Sequence, residues 1–286
     1  MSNLLNVKSE REMIMNSAST TGFNTIILLT DFSDGARKAI KYAIDAFGDK
    51  VSYVLINTYY ARTSSATLLD INDILSKESN QGLQKDLDWI RQSYPSLYLK
   101  IQMKSVFGTP VDAIKRMAKD KRNDLLVMGT TGATNSSSIF FGSVAERVIR
   151  TTVIPVLAIP KKSVYKGFNE IVLAADGKSS YTDVMLAPLT KFAKYFNSVI
   201  DVVSIKTDVN KADFSSIEKQ LPGAKFSEIE GENIPLIVKG FCKSKRAKIL
   251  TVLPRHTGFF ERLFHHSVSK DLLMQADLPI LALEKD

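Results

Sequence analysis

Apolar residues in this chain come in short unbroken runs, separated by longer stretches in which they recur at helical spacing. The runs "TIILL" at 25–29, "VSYVLI" at 51–56, "DLLVM" at 124–128 and "VLAI" at 156–159 have no polar face. A strand needs that pattern when the sheet is covered on both sides. Between them, "ARKAIKYAIDAF" and "SVAERVIR" space their apolar positions three and four apart, as packed helices do. Short strands alternating with helices predict a parallel sheet with crossover helices, an α/β architecture.

The same order is written twice. "FNTIILLTDFSDG" opens at Phe23 and "FNEIVLAADGKS" at Phe168, each a strand running into an aspartate, Asp31 and Asp176. Each copy closes on a helix and a short strand, "SVAERVIRTTVIPVLAIP" and "SVSKDLLMQADLPILALE". Asp31 and Asp176 lie 145 positions apart but Pro155 and Pro279 only 124, so the second copy is shorter by 21 residues. The shortfall falls after the second strand, where 61–95 of the first copy, with a helix in "NQGLQKDLDWIRQSY", correspond to 207–223 of the second. This predicts an N-terminal arm (1–22) and two domains of like architecture, 23–160 and 161–286, joined near "PKKSVYKG".

Composition narrows the class without naming a function. The chain has 286 residues, of which 44% are hydrophobic, and carries a net charge of +8. Its densest basic clusters, KDKR at 119–122 and KSKR at 243–246, stand at helix ends before strands, where they complement the helix dipole. Nucleic acid is therefore not expected as a partner. No apolar run approaches the ~18 residues that span a bilayer, so no membrane association is expected. A single cysteine, Cys242, rules out an intrachain disulfide framework, and with no secretion signal the expected location is cytoplasmic.

The stretch "MGTTGATNSSSIFFGS" at 128–143 carries the candidate chemistry. It leaves the carboxyl end of the "DLLVM" strand and ends where "SVAERVIR" begins, and Val144 and Val148 share one face of that helix. Ligands of open parallel sheets settle outside the carboxyl ends of strands. The first N–H groups of a helix lack intrahelical partners and favour an anion. Gly142 leaves room for a phosphate to approach them, Gly129 and Gly132 would line the same concavity with backbone N–H groups, and Ser143 adds a hydroxyl. A turn with cap residues accounts for the same letters.

The spacing Gly129-x2-Gly132-x9-Gly142-Ser143 after an apolar strand resembles the ATP-binding motif of the universal stress protein family. "TDFSDGARKAIKYA" and the closing "IPVLAIP" strengthen that resemblance, which covers nearly the whole chain after residue 22 and matches the tandem members. It implies two Rossmann-like domains related to the adenine nucleotide alpha hydrolases, each a five-stranded parallel sheet in the order 3-2-1-4-5. It also implies one ATP per chain, with Mg²⁺ neutralising its phosphates, in the first domain. Asp31 would meet the nucleoside, Thr58 the adenine through its backbone, and Thr30 and Met128 would line the base pocket. Gly129, Gly132, Gly142 and Ser143 would hold the phosphates, and Thr130 and Val144 would also bind the nucleotide. Where the family often has Ser or Thr two residues beyond Ser143, this chain has Ala145. Absent the glycines, Asp31 reads simply as a residue introducing the next helix.

In the second copy, Leu253, His256 and His266 stand where Gly129, Gly132 and Gly142 stand in the first, and Pro254 removes a further N–H. That half is not expected to bind ATP in the family's manner. His256, His265 and His266 are the chain's only histidines. They lack a completing carboxylate or thiol, and read as filler of a vacated pocket or a partner-contacting patch rather than a metal site. No P-loop and no nucleophile–base pair is legible, so an enzyme is not expected. The expected function is an ATP-binding stress-response or signalling regulator whose nucleotide alters association with an unidentified protein partner. A nucleotide-independent interaction scaffold and a slow ATPase are the alternatives. The two closing strands are expected to pair within the chain as a pseudo-dimer, with a further homodimer left open.

Overall fold

The computed structural model describes residues 22–60, 68–120, 123–132, 142–151, 153–175, 181–206, 214–254 and 278–283. The N-terminal arm, Asp176, Ser267 and the three histidines His256, His265 and His266 lie outside the described residues, as do 133–141 of the glycine-rich stretch.

The first half runs β1 (Thr25–Leu29), α1 (Asp34–Phe47), β2 (Ser52–Tyr59), α2 (Leu68–Ser93), β3 (Lys100–Phe107), α3 (Pro110–Met117), β4 (Asn123–Gly129), α4 (Ser143–Thr151) and β5 (Val156–Ile159). The second runs β6 (Glu170–Ala175), α5 (Asp183–Phe196), β7 (Val199–Lys206), α6 (Ser215–Glu218), β8 (Lys225–Glu230), α7 (Ile234–Ser244), β9 (Ile249–Val252) and β10 (Ile280–Ala282). All ten strands form one sheet in the order β3-β2-β1-β4-β5-β10-β9-β6-β7-β8. Each half contributes a parallel sheet ordered 3-2-1-4-5. The halves meet where β5 and β10 pair antiparallel, with Leu157 opposite Leu281.

The unbroken apolar runs have the expected cause. Ile26, Leu28, Leu125, Val127 and Leu157 face a core beneath α1, α2 and α5, while Ile27, Leu29, Leu126, Met128 and Val156 face one beneath α3, α4 and α7. Alternate residues of one strand thus enter different cores. Register also confirms the repeat, since Ile27 pairs with Val54 and Leu126 as Val172 pairs with Asp201 and Leu250.

The missing residues of the second copy lie where expected, and their structural meaning is larger than expected. α2 is a 26-residue helix that begins well before the "NQGLQKDLDWIRQSY" stretch. Only its later turns bury an apolar stripe, Leu83, Leu87 and Ile90. Its earlier turns leave Ile74 exposed and bury no apolar side chain among the described residues. In the corresponding interval of the second half the described helix is the four-residue α6.

An aromatic cluster joins the halves on the α1/α5 side. Phe168, just before β6, packs against Phe192 and Phe196 of α5 with ring centroids 4.9 and 4.7 Å apart, and against Tyr42 of α1 at 5.9 Å. Phe47 of α1 meets Phe196 at 5.1 Å. Lys191 of α5 reaches across the seam to Asp124 of β4 at 2.5 Å and lies over the Phe23 ring.

Candidate functional site

The carboxyl ends of β1, β2 and β4, the loop leading into α3 and the first turns of α4 enclose a cleft of about 320 Å³. Thr30, Asp31, Thr58, Met128, Gly129, Thr130, Gly132, Gly142, Ser143 and Val144, all singled out in the sequence, line it together. The positions are far apart in the chain, and the crossover topology brings them to one end of the sheet.

The β1 side is held by a buried polar network. The Thr30 N–H continues the ladder by donating to the Ile56 carbonyl at 2.9 Å. Its hydroxyl donates to Asp86 Oδ2 of α2 at 2.9 Å and accepts the Phe32 N–H at 3.0 Å. The other oxygen of Asp86, whose side chain is wholly buried, accepts from Arg37 Nε of α1 at 2.8 Å. Asn57, at the end of β2, donates to the Thr30 carbonyl at 2.7 Å and accepts from Ser79 of α2 at 2.7 Å. The long helix thereby fixes the ends of β1 and β2, each buried polar group finding a partner.

Asp31 serves the helix and the cleft at once. Its Oδ1 accepts from the backbone N–H of Ser33 at 3.2 Å and from its hydroxyl at 2.5 Å, and Ser33 Oγ in turn caps α1 by accepting from Ala36 N at 3.2 Å. Phe32 between them takes a positive φ of 65° and lays its ring against Gly82 of α2. The carboxylate remains exposed at the cleft. The helix-introducing reading and the ligand-facing position therefore coexist in one residue.

Gly129 has a cause that its sequence context does not disclose. A β-carbon on Gly129 would stand 2.8 Å from the Gly35 carbonyl oxygen, and one on Gly35 would stand 2.5 Å from that of Thr131. A β-carbon on Gly132 would stand 2.5 Å from Asp31 Oδ2. The first turn of α1 and the end of β4 thus touch backbone to backbone at Gly35 and Gly129, where glycine is needed, whereas the neighbour of Gly132 is the end of a side chain that can turn away. Room for a phosphate, the reason read from the sequence for Gly129 and Gly132, stands beside this packing, since both glycines line the cleft. The N–H of Gly142 is donated to the Thr130 carbonyl at 2.8 Å. Replacing Gly129 by alanine is expected to destabilise the fold by about 2 kcal/mol through overpacking, measured as a shift in the denaturant midpoint with unchanged slope.

Anion-directed donors come instead from α4. Its helical bonding starts with Glu146 N–H on the Gly142 carbonyl at 3.0 Å. The N–H groups of Ser143, Val144 and Ala145 precede that bond at the cleft wall, with the positive end of the helix dipole behind them. The buried face of α4 is Ala145, Val148 and Ile149. Val144 is 47% exposed and projects at the cleft, so it does not share the packed face of Val148. The first turn of α4 overhangs the sheet end, and a residue that would pack one turn later stands clear of the core there. Ala145, 2% exposed, offers no hydroxyl.

Sequence reading missed Gly35, Asn57, Asp86, Tyr60 and Arg147, along with Thr109–Val111 of the loop into α3. Asn57 interrupts an otherwise apolar strand, and "GTP" at 108–110 places a cap residue before a proline at a helix start, so both carried a signal. Asp86 carried none, being one acid among several on a charged helix.

The second half differs at the matching position. By register Leu253 occupies the place of Gly129, and it is buried in the core at 5% exposure. Among the described residues no three His, Cys, Asp or Glu side chains cluster to hold a metal, and no helix is long and apolar enough to cross a membrane. Cys242 lies inside α7, where burial pushes its thiol up to about 12, so it stays protonated and unreactive.

Comparison with known proteins agrees with this geometry. The model of the universal stress protein family matches residues 22–160. A universal stress protein of Methanocaldococcus jannaschii is 32% identical over 157 residues, covering 52% of this chain and 90% of the relative. One of Mycobacterium tuberculosis is 24% identical over 142 residues, 49% of this chain and 97% of the relative. Among solved structures, a universal stress protein from Archaeoglobus fulgidus shares the fold across both halves. Its TM-score is 0.64 at 20% identity, over 92% of this chain and 96% of that one.

Proposed function

Because the chain belongs to the universal stress protein family, we propose that the cleft of its first half binds one adenine nucleotide, ATP with Mg²⁺, and that the bound nucleotide regulates association with a protein partner. One observation carries this reading: residues from five separate segments converge on a single cleft that ends at the helix N-terminus of α4. Its volume falls in the range of small-molecule sites. The chemistry of its walls fits a nucleotide. Leu29, Met128 and Val111 offer apolar surface to a base, Asp31 an acceptor to ribose hydroxyls, and the first turn of α4 donors to phosphate. Binding without turnover is the form proposed; among the described residues lining the cleft there is no His, Cys or Lys. The regulatory role in stress response is the family's expectation carried to this chain.

A second reading, a nucleotide-independent scaffold, draws on the packing that explains Gly129 by itself. Thermal unfolding with and without ATP·Mg²⁺ separates the two. Nucleotide at about a hundred times its Kd should add about 2.7 kcal/mol, a rise on the order of 5 °C for a chain of this size. Val144→Trp fills the cleft from an exposed position, and stability without ligand should stay within about 0.5 kcal/mol while the nucleotide shift disappears. Wild-type protein that neither releases adenine nucleotide to mass spectrometry nor gains melting temperature from millimolar ATP·Mg²⁺ would sink the binding proposal and leave the scaffold.

A further inference from the structure

We infer that Arg147 receives the phosphate tail in this cleft and selects nucleoside di- and triphosphates over nucleosides and monophosphates; the inference rests on the nucleotide reading above.

Charge around the cleft is sparse and polarised. Of the described residues lining it, Asp31 carries the negative charge at the β1 end and Arg147 the positive charge on α4, and the other described ones carry none. A ligand that presents hydroxyls at one end and several negative charges at the other matches that distribution. A plain nucleoside leaves the cation without a partner.

The position of Arg147 on α4 aims it at the donors. It stands four residues after Ser143, one helical turn further on and on the same stripe. The buried stripe of the helix, Ala145, Val148 and Ile149, faces the sheet, which turns Ser143 and Arg147 away from the core. Side chains on a helix lean toward its N-terminus. A long side chain at 147 therefore covers the turn that holds the N–H groups of Ser143, Val144 and Ala145.

Its neighbour on α4 does not share this role. Arg150 is engaged with Glu146 at 3.4 Å within the helix. Arg147 is exposed, lines the cleft, and forms no ion pair with the described residues. A planar guanidinium also binds two phosphate oxygens at once, which an ammonium does not. It adds in charge what the hydroxyl missing at Ala145 takes away in hydrogen bonding.

Calorimetric titration of the full chain with ATP, ADP, AMP and adenosine, each at low and high salt, tests this. Arg147→Gln should weaken ATP and ADP about tenfold or more, leave adenosine within twofold, and flatten the salt dependence of ATP binding. Arg147→Lys should recover part of the lost ATP affinity. Arg150→Gln, the control, should bind every ligand as wild type does. Thermal melts without ligand should place all three variants near wild type, which keeps folding out of the comparison. ATP bound equally by wild type and Arg147→Gln overturns the inference, as does an equal loss for ATP and adenosine. A wild type that binds none of the four overturns the nucleotide reading itself, a separate outcome.

Discussion

Phe168→Ala is expected to cost about 4 kcal/mol of folding stability, the largest single-residue effect outside the sheet. Phe168 is 1% exposed, and its ring meets Phe196, Phe192, Tyr165 and Tyr42 with centroids between 4.7 and 5.9 Å away. Removing it forfeits its own burial and leaves a cavity bounded by aromatic rings, which repack poorly because their rotamers are few. The contacts span the seam, so the loss should appear in both halves. Scanning calorimetry should show one transition lowered by roughly 8 °C or more, not a split in which the first half melts as before. Val164, four residues earlier and 61% exposed, supplies the control, and its alanine variant should melt within about 0.5 kcal/mol of wild type. A loss below about 1 kcal/mol for Phe168→Ala would mean that the cluster closes over the gap and is not what ties the halves together.

Asp86→Ala should follow at about 3 kcal/mol. The carboxylate is wholly buried and accepts from Thr30 Oγ1 and Arg37 Nε, and its removal strands a buried hydroxyl and half of an ion pair. Arg37 is 38% exposed and regains water, which keeps the cost below that of a pair buried at both ends. Asp86→Asn keeps an acceptor for one partner and should lose about half as much. Denaturant unfolding measures the stability. Nucleotide titration of the same variants measures whether the ends of β1 and β2 lose their positions, because Thr30 belongs to both the network and the cleft wall. A variant with wild-type stability would show that α2 holds these loops by its apolar stripe alone.

The strands and their doubled order were legible in the sequence, because each rests on a periodic pattern or on topology that allows few alternatives, whereas the place of Thr30, Asp31, Thr58 and Met128 at the same sheet end as the glycines was implied by the family resemblance. What stayed hidden were partners. Nothing near Gly129 announces that its neighbour is Gly35, and a glycine required by another backbone reads the same as one cleared for a ligand. Val144 has the spacing of a core residue and the location of a cleft residue, and location wins where a helix overhangs the sheet. Asp86 has no motif at all, and only the packing of α2 turns it from a solvated acid into the anchor of the β1 end.

The antiparallel seam of β5 and β10 has a consequence for the proposed regulation. Two strands that would otherwise be docking edges are held together by the chain itself, at an effective concentration no cellular dilution can lower. Their pairing is permanent at any protein level. It cannot serve as the contact that nucleotide makes or breaks, so any regulated association must use a different surface. Permanence also releases the second half from recruiting its neighbour by affinity, which leaves its vacated sheet end, with Leu253 in the place of Gly129, at liberty to change.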